Sequence, residues 1–574
     1  MNFTINFRQV RCLSFLILYL TLSNSVLGAE DHVENTNEAV AKSWQQQNVG
    51  AATPALIKQE DGTTKIEWHG GVTVDHYRNT ITSASDKLGT NLNNGYFVTT
   101  QAQSDLRAIN PNGAVNYFQL SATTTDDRAV LNHHYRQINM MQVGRVGEGY
   151  QLALGDVAPN FSNLSSAFGA RGLFGQKQIN QTVLSGYAGL YAPSWEYLDS
   201  TVPRQQLLKE VQGAKLEQSF TEKLKVFVTT LHARDRRETA DIVGLPATAL
   251  RNNSVGFQWN DGAYQLTGET AISHFQQQNA QSLSGRASLL DGAWRGQKVS
   301  LKAGYHDLEA EFSSLSQSAQ PGIRERYVGG DWVASAWLSL GLDLRNSQQY
   351  TFASFAGAAK LADTDSGSLR ANINLGASYP GWGITLQQTF SNTEDANSNI
   401  SRKDLTSAGV SYATARWNAA FTYGYDEVTS QANPAGDSHT NRWQASASRA
   451  FNNADELSAA TWTVTTGLSA NLETQKLVYG LLAGEETRAF TSSLNVGAQR
   501  NGWGTLNLMV GNGFNTRMLN QSTLRMTTVQ FDASRPIGEK GGVKLYWRDV
   551  RRNIDDLLLD TQEKVVGVQL SYQI

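Results

Sequence analysis

Apolar and polar residues alternate with period two in this chain, in runs of roughly eight to twelve residues that recur up to its last residue. Leu369, Ala371, Ile373, Leu375, Ala377 and Tyr379 fall on one face, with Arg370, Asn372, Asn374, Gly376 and Ser378 on the other. Trp462, Val464, Thr466, Leu468, Ala470 and Leu472 alternate with Thr463, Thr465, Gly467 and Ser469. Leu338, Leu340, Leu342 and Leu344 alternate with Ser339, Gly341, Asp343 and Arg345. Successive side chains of a strand point to opposite faces, so each run is a strand with one apolar side. Its length matches the reach of a tilted strand across a bilayer.

A sheet in hydrocarbon cannot leave an edge, because each unpaired N–H or C=O there costs several kcal/mol. The expected fold is therefore all-β: a single large antiparallel transmembrane β-barrel over residues 65–574. Connector lengths support it. Pro380-Gly381, Ala413–Arg416 and Asn501–Trp503 are tight, whereas Ser391–Asp404, Glu427–Thr440 and Asn512–Thr523 are long and polar. Short turns at the periplasmic end and longer outer loops are the rule for outer-membrane barrels. Carried back to Lys65, the alternation predicts about 26 strands, in a range of roughly 24–28, with both termini periplasmic. Trp68, Tyr379, Trp417, Tyr425, Trp462 and Tyr572 suit the interfacial girdles.

Residues 1–28 read as a secretory signal: Arg8 and Arg11 precede the apolar run Cys12–Leu22, and Val26-Leu27-Gly28 offers a cleavage site before Ala29. Residues 29–64 read as a polar periplasmic tail. Cys12 is the sole cysteine and leaves with the signal, so the mature chain has no thiol for disulfides, zinc or clusters. A net charge of −3 gives no bulk case for nucleic acid. The mean hydropathy of −0.38 is that of a soluble protein, but a barrel averages its lipid and lumen faces.

The last strand carries a resemblance. Val566, Val568, Leu570, Tyr572 and Ile574 alternate with Gly567, Gln569, Ser571 and Gln573, which resembles the C-terminal signature of bacterial outer-membrane β-barrel proteins. In that class the terminal residues are read by the barrel-insertion machinery, usually through a final Phe, from which Ile574 departs. The resemblance implies outer-membrane lipid and that machinery as partners. A second, local likeness lies in Gly155-Asp156, Phe161 and Ala170-Arg171-Gly172, which resemble a GD…F…RG strand–loop–strand of fimbrial ushers and other large export barrels. The simpler expectation for that stretch is a Gly-rich hairpin with a compact outer loop around Asp156, Phe161 and Arg171.

No residues point to catalysis, a cofactor or a metal. His133 and His134 are adjacent on a strand and point to opposite faces. Asp437-Ser438-His439 holds triad residue types without triad spacing. The inward set of the clearest strands is Lys298, Lys302, Asp343, Arg345, Arg370, Asn372, Asn374, Lys544 and Arg548. Basic groups outnumber acidic ones in it, so this wall would favour anions unless the charges pair across neighbouring strands. About 26 strands enclose more space than inward side chains fill. The tail and the loops are too short to make a plug, so a conduit or sleeve for a large cargo or partner (polysaccharide or protein) is the expected function. A passive porin gated by loops and a structural barrel anchoring a surface complex are the alternatives.

Overall fold

The structure, a computed structural model, describes residues 63–573 apart from 84–93, 128–134, 167–168, 192–194, 196–207, 238–239, 242–243, 317–319, 354–356, 377–378, 452–461, 479–482, 517–522 and 555–558. The signal and tail, His133, His134 and Ile574 lie outside the described residues. Twenty-six antiparallel strands form one sheet. The sheet closes where β1 (Lys65–Ser83) pairs with β26 (Leu559–Gln573), from Gly71 opposite Gln573 to Ser83 opposite Thr561. Closure gives every strand two neighbours, the condition a lipid-facing sheet must meet. An even strand number puts the start of β1 and the end of β26 at the same end of the barrel.

The alternation sorts the two faces. In β26, Val566, Val568, Leu570 and Tyr572 point outward and are exposed on the isolated chain, while Thr561, Glu563 and Val565 point inward and are buried. At the seam the Tyr546 hydroxyl donates to Asp75 at 2.8 Å. Its ring lies flat over Gly567, where a Cβ would stand 2.2 Å from the ring. Glycine is needed at this point because the neighbouring aromatic takes its side-chain space.

The early strands are short: β4 (Arg136–Gly147), β5 (Tyr150–Val157), β6 (Ala170–Ile179), β7 (Thr182–Tyr191), β8 (Lys209–Ser219) and β9 (Leu224–Asp235) have 8 to 12 residues. They follow β2 (Gly95–Ile109) and β3 (Val115–Thr125), and lead to β10 (Thr248–Asn260), β11 (Tyr264–Gln277), β12 (Leu283–Arg295) and β13 (Val299–Leu308). From there the strands lengthen: β14 (Ile323–Ser335), β15 (Leu338–Ala353), β16 (Gly357–Asn374), β17 (Trp382–Asp395), β18 (Ile400–Ala413) and β19 (Trp417–Ser430). β20 (Ser438–Phe451), β21 (Trp462–Leu477), β22 (Glu486–Arg500), β23 (Gly504–Thr516), β24 (Thr523–Ile537) and β25 (Gly541–Ile554) complete the barrel. The longest of these later strands, β16, has 18 residues, against 19 in β1.

Two expectations about connectors change. The three polar outer segments are mostly strand: β17 and β18 run on to leave 396–399, β19 and β20 leave 431–437, and β23 and β24 leave 517–522. Beyond the bilayer both faces of a strand are wet, so the apolar alternation stops while hydrogen-bonded pairing continues. At the end that holds the termini, β16 stops at Asn374, short of Leu375, Ala377 and Tyr379. Gly376 takes φ +58° and Pro380 has no N–H to offer the ladder, so the chain turns early.

Aromatic residues ring this same end. Trp259, Tyr264 and Trp294 stack in a row at 6.2 and 6.3 Å, Trp382 meets Tyr412 at 4.9 Å, and Trp462 meets Trp503 at 4.7 Å. Trp68, Trp417 and Tyr572 stand exposed at the corresponding strand ends. Tyr425 sits toward the other end, hydrogen-bonded to His439.

Candidate functional site

The lumen is the candidate site, and its wall is built in two ways. Along β5–β13 it is covered from inside by two connectors that fold inward at the end away from the termini. The first, 158–169, leaves β5, crosses the inner wall and returns to β6. Phe161 and Leu164 in it are fully buried. Phe161 packs edge-on to Tyr187 at 5.0 Å, within a cluster that includes Val211, Leu231, Ala233 and Leu250 of the wall. Leu164 reaches as far as β11 and β12, against Ala271 and Ala287. The second connector, 309–322, comes back from β13 and seats Phe312 in that same cluster.

Backbone polar groups buried this way need partners, and side chains of the wall supply them. The Leu164 N–H donates to Glu269 Oε2 at 3.3 Å. The Asn252 amide donates to both the Leu164 and Ser313 carbonyls at 3.1 Å, tying the two connectors together. The Ser313 N–H donates to Ser273 Oγ at 2.8 Å, and Ser314 Oγ to the Ser165 carbonyl at 3.0 Å. Gly285 lets the second connector this close: a Cβ there would stand 2.2 Å from the Phe312 nitrogen.

The base of the first connector is clasped by the residues singled out in the sequence. Asp156 Oδ1 accepts from Arg171 Nε at 3.0 Å across the paired β5 and β6, with both side chains about nine-tenths buried. Asp156 Oδ2 accepts from the Met141 N–H at 2.7 Å and from Trp195 Nε1 at 2.9 Å. The Arg171 guanidinium also lies 5.0 Å from the Trp195 ring. The carboxylate thus takes three donors, and the guanidinium, whose Nη1 has no hydrogen-bond partner, is held by this ion pair and the aromatic face, which is how such a buried charge is tolerated. The expected compact outer loop is thus an inward one, with Phe161 at its buried tip. Under it lies a cavity of about 600 Å³, lined by Gln151, Gln176, Phe174, Ser185, Lys215 and Glu269 among others.

The opposite wall, β14–β24, has no such cover among the described residues. Its inward charges, with those at the termini-side end of β13 and on β25, sit in the open lumen and pair with one another. Lys302 meets Asp343 at 2.6 Å, both more than half exposed. The two reach each other across Gly329, which lies between them in the register and has no side chain in the way. Arg370 meets Asp331 at 2.8 Å across Gly341 in the same manner. Arg345 pairs with Glu325 at 3.5 Å, Arg442 with Glu473 at 2.9 Å and Lys544 with Asp532 at 3.1 Å. Four of the six basic groups in the sequence-derived set thus pair with carboxylates on the next strand or the next but one, the cross-strand pairing that the sequence left open. Arg548 faces the lumen between Gln530 and Val565. Lys298 and Asn374 share the inward parity but lie at the end of the barrel: Lys298 in the turn before β13, and Asn374 closing a turn through its bond from the Gly376 N–H at 3.0 Å.

Between the ion pairs the bare wall is uncharged and polar. Asn372, Thr385, Gly409, Thr422, Gln444, Asn471 and Thr491 oppose one another strand by strand in a single register row. Asp437, Ser438 and His439 have separate partners, the Ser430 N–H, Gln475 and Tyr425, and do not converge.

A closed, lipid-faced barrel of this size with a wet lumen defines an integral channel of the bacterial outer membrane. Several solved structures are similar to it. The P pilus usher (PapC) translocation pore aligns at a TM-score of 0.34 and 11% identity, over 89% of this chain and 100% of that one. The ferric enterobactin receptor of Pseudomonas aeruginosa aligns at 0.39 and 8%, over 88% and 80%. The anion-selective porin of Comamonas acidovorans aligns at 0.29 and 14%, over 52% and 92%. No family model matches the chain, and no curated protein matches it.

Proposed function

We propose that this channel is a conduit for a large hydrophilic cargo, with a polysaccharide chain as the cargo its wall suits best. The observation that supports this is the bare wall of β14–β24. Its hydroxyls and amides both donate and accept, as a sugar chain requires, and its charges are neutralised in pairs and so give no strong hold on ions. Many weak, interchangeable hydrogen bonds let a polymer slide, whereas a few strong ones would trap it. Two inward connectors narrow one side of the lumen and leave the other for passage. A resident partner protein would fill the same space, and co-purification from native membranes would reveal it. The test is the purified full chain in a planar bilayer: large conductance with weak ion selectivity, reversibly blocked by neutral glucan chains. A narrow, stable conductance indifferent to glucans, with no co-purifying component, would replace this reading with a loop-gated porin.

A further inference from the structure

We propose that the outward face of β9–β12, at the end away from the termini, binds the phosphate of a lipid headgroup in the outer leaflet. Outward residues of β10, followed from the aromatic ring, are Trp259, Phe257, Val255, Asn253 and Arg251; those of β12 are Trp294, Gly292, Leu290, Ser288 and Arg286. Each arginine thus stands eight residues from a girdle tryptophan. A strand rising about 3.3 Å per residue and tilted by roughly 40° gains about 20 Å over that stretch, against an apolar band about 25 Å tall. Arg251 and Arg286 therefore leave the wall just inside the far boundary of the hydrocarbon, where a long stem carries its charge up to headgroup level.

Their surroundings fit an anion. Arg251 lies in register between His232 of β9 and His274 of β11. Arg286 is opposite Ile272, one step nearer the band. Both arginines are exposed, and neither side chain meets a carboxylate among the described residues. The nearby acids are engaged at the rim: Glu210 holds Arg234 at 2.7 Å and Arg236 at 3.0 Å, and Glu309 accepts the Arg286 backbone N–H at 2.8 Å. The hydroxyls below the arginines bond each other, Thr270 to Ser288 at 3.1 Å, and His274 bonds Ser284 at 2.7 Å. A guanidinium facing lipid with no protein anion is costly unless the lipid supplies one, and a phosphate accepts its planar donors well. A few strands further round, the sign changes. On β16, Asp363 and Asp365 take this outward position and accept from Asn346 at 3.0 and 2.8 Å. Outward arginines recur at this end on β22 and β25, but Arg488 there meets Glu486 at 3.0 Å and Arg551 meets Asp549 at 3.5 Å, so the absence of a protein carboxylate is what sets Arg251 and Arg286 apart from them.

The test uses the full barrel in nanodiscs of phosphatidylcholine doped with phosphatidic acid, with native mass spectrometry reading the phosphatidic acid retained on release. The wild-type barrel should retain it over phosphatidylcholine. The double variant Arg251→Ala/Arg286→Ala should lose about tenfold or more of that retention, two surface cations being removed, while keeping its heat-modifiable mobility. Arg402→Ala, an outward arginine bonded to Asp404 on the acidic side, should leave retention unchanged. Equal retention by the double variant would overturn the proposal. So would full displacement by inorganic phosphate, which would mean a site for the free ion. A shift from dimer to monomer in the double variant would mean the patch meets a second copy of the chain, and would overturn it equally.

Discussion

On β9–β12 inward Ala, Ser and Gly residues are buried under a connector; on β14–β16 inward charged side chains stand in water over glycines. Ala233, Ser254, Ala271, Ser273, Gly285 and Ala287 form a floor shallow enough for a connector to lie on, where Ser254 bonds Thr229 on the wall and Ser273 accepts from the Ser313 N–H of the segment above. Lys302, Asp343, Arg370 and Asp331 instead extend over glycines into open space. One barrel thus holds two kinds of surface: a packed interior resembling a soluble core, and a hydrated wall resembling a channel. Burial makes each contact on the first surface expensive to lose, whereas solvent screens contacts on the second. Mutations of similar chemistry should therefore differ several-fold in effect according to the side they touch.

The largest effect is expected from Asp156→Ala. It strands Arg171 in a site about nine-tenths buried, a change that costs about 3–5 kcal/mol when a buried pair loses one partner. The inward connector should then detach, which raises single-channel conductance and lowers the temperature at which the barrel loses its compact gel mobility. Replacing both partners with apolar residues (Asp156→Leu with Arg171→Met) should restore part of that temperature. Unchanged conductance and mobility in Asp156→Ala would mean that the connector is held by its apolar tip alone. Gly285→Ala comes next, at about 1–3 kcal/mol for overpacking. Its Cβ would collide with backbone at Phe312, so the second connector must lift. Accelerated cleavage within 309–322 by an added protease checks it, with Gly467→Ala, where nothing lies closer than 3.8 Å, as the control expected to be silent.

These two surfaces were unequally legible in the sequence. Hydrocarbon imposes one rule on the outer face, so Val566, Val568, Leu570 and Tyr572 declare their side by alternation alone. The lumen imposes no comparable rule. Parity gave Lys298 and Asn374 as inward, but could not show that the strand starts after one and ends at the other. The segment Pro159-Asn160-Phe161-Ser162-Asn163-Leu164 has the composition of an exposed loop, and its burial depends on partners far along the chain. Leu164 and Glu269 are 105 residues apart. The usable signal was on the wall: inward positions of β10–β12 that are Ser, Ala and Gly, too small to line an open channel and sized for something to dock. Ion pairing was hidden for a related reason. Lys302 and Asp343 lie on strands separated by a third, and only the register with Gly329 between them shows that they meet.

The smallest expected effect is on the bare wall, and it carries a sign. Lys302 and Asp343 are each more than half exposed, so their pairing contributes at most about 1 kcal/mol, and Lys302→Ala should leave barrel stability almost unchanged. It does remove one positive charge from an open lumen and leaves Asp343 without its partner 2.6 Å away. The local potential then becomes negative, which draws cations toward the wall and repels anions. Reversal potential in a salt gradient should shift toward cation preference for Lys302→Ala and toward anion preference for Asp343→Ala. The double variant should lie near the wild type, since a neutral pair replaces a neutral pair. High salt should erase all three differences, because the Debye length shrinks from about 10 Å at 0.1 M to about 3 Å at 1 M. Equal selectivity in both single variants at low salt would mean that ions pass elsewhere in the lumen, and the bare wall would no longer be the conducting side.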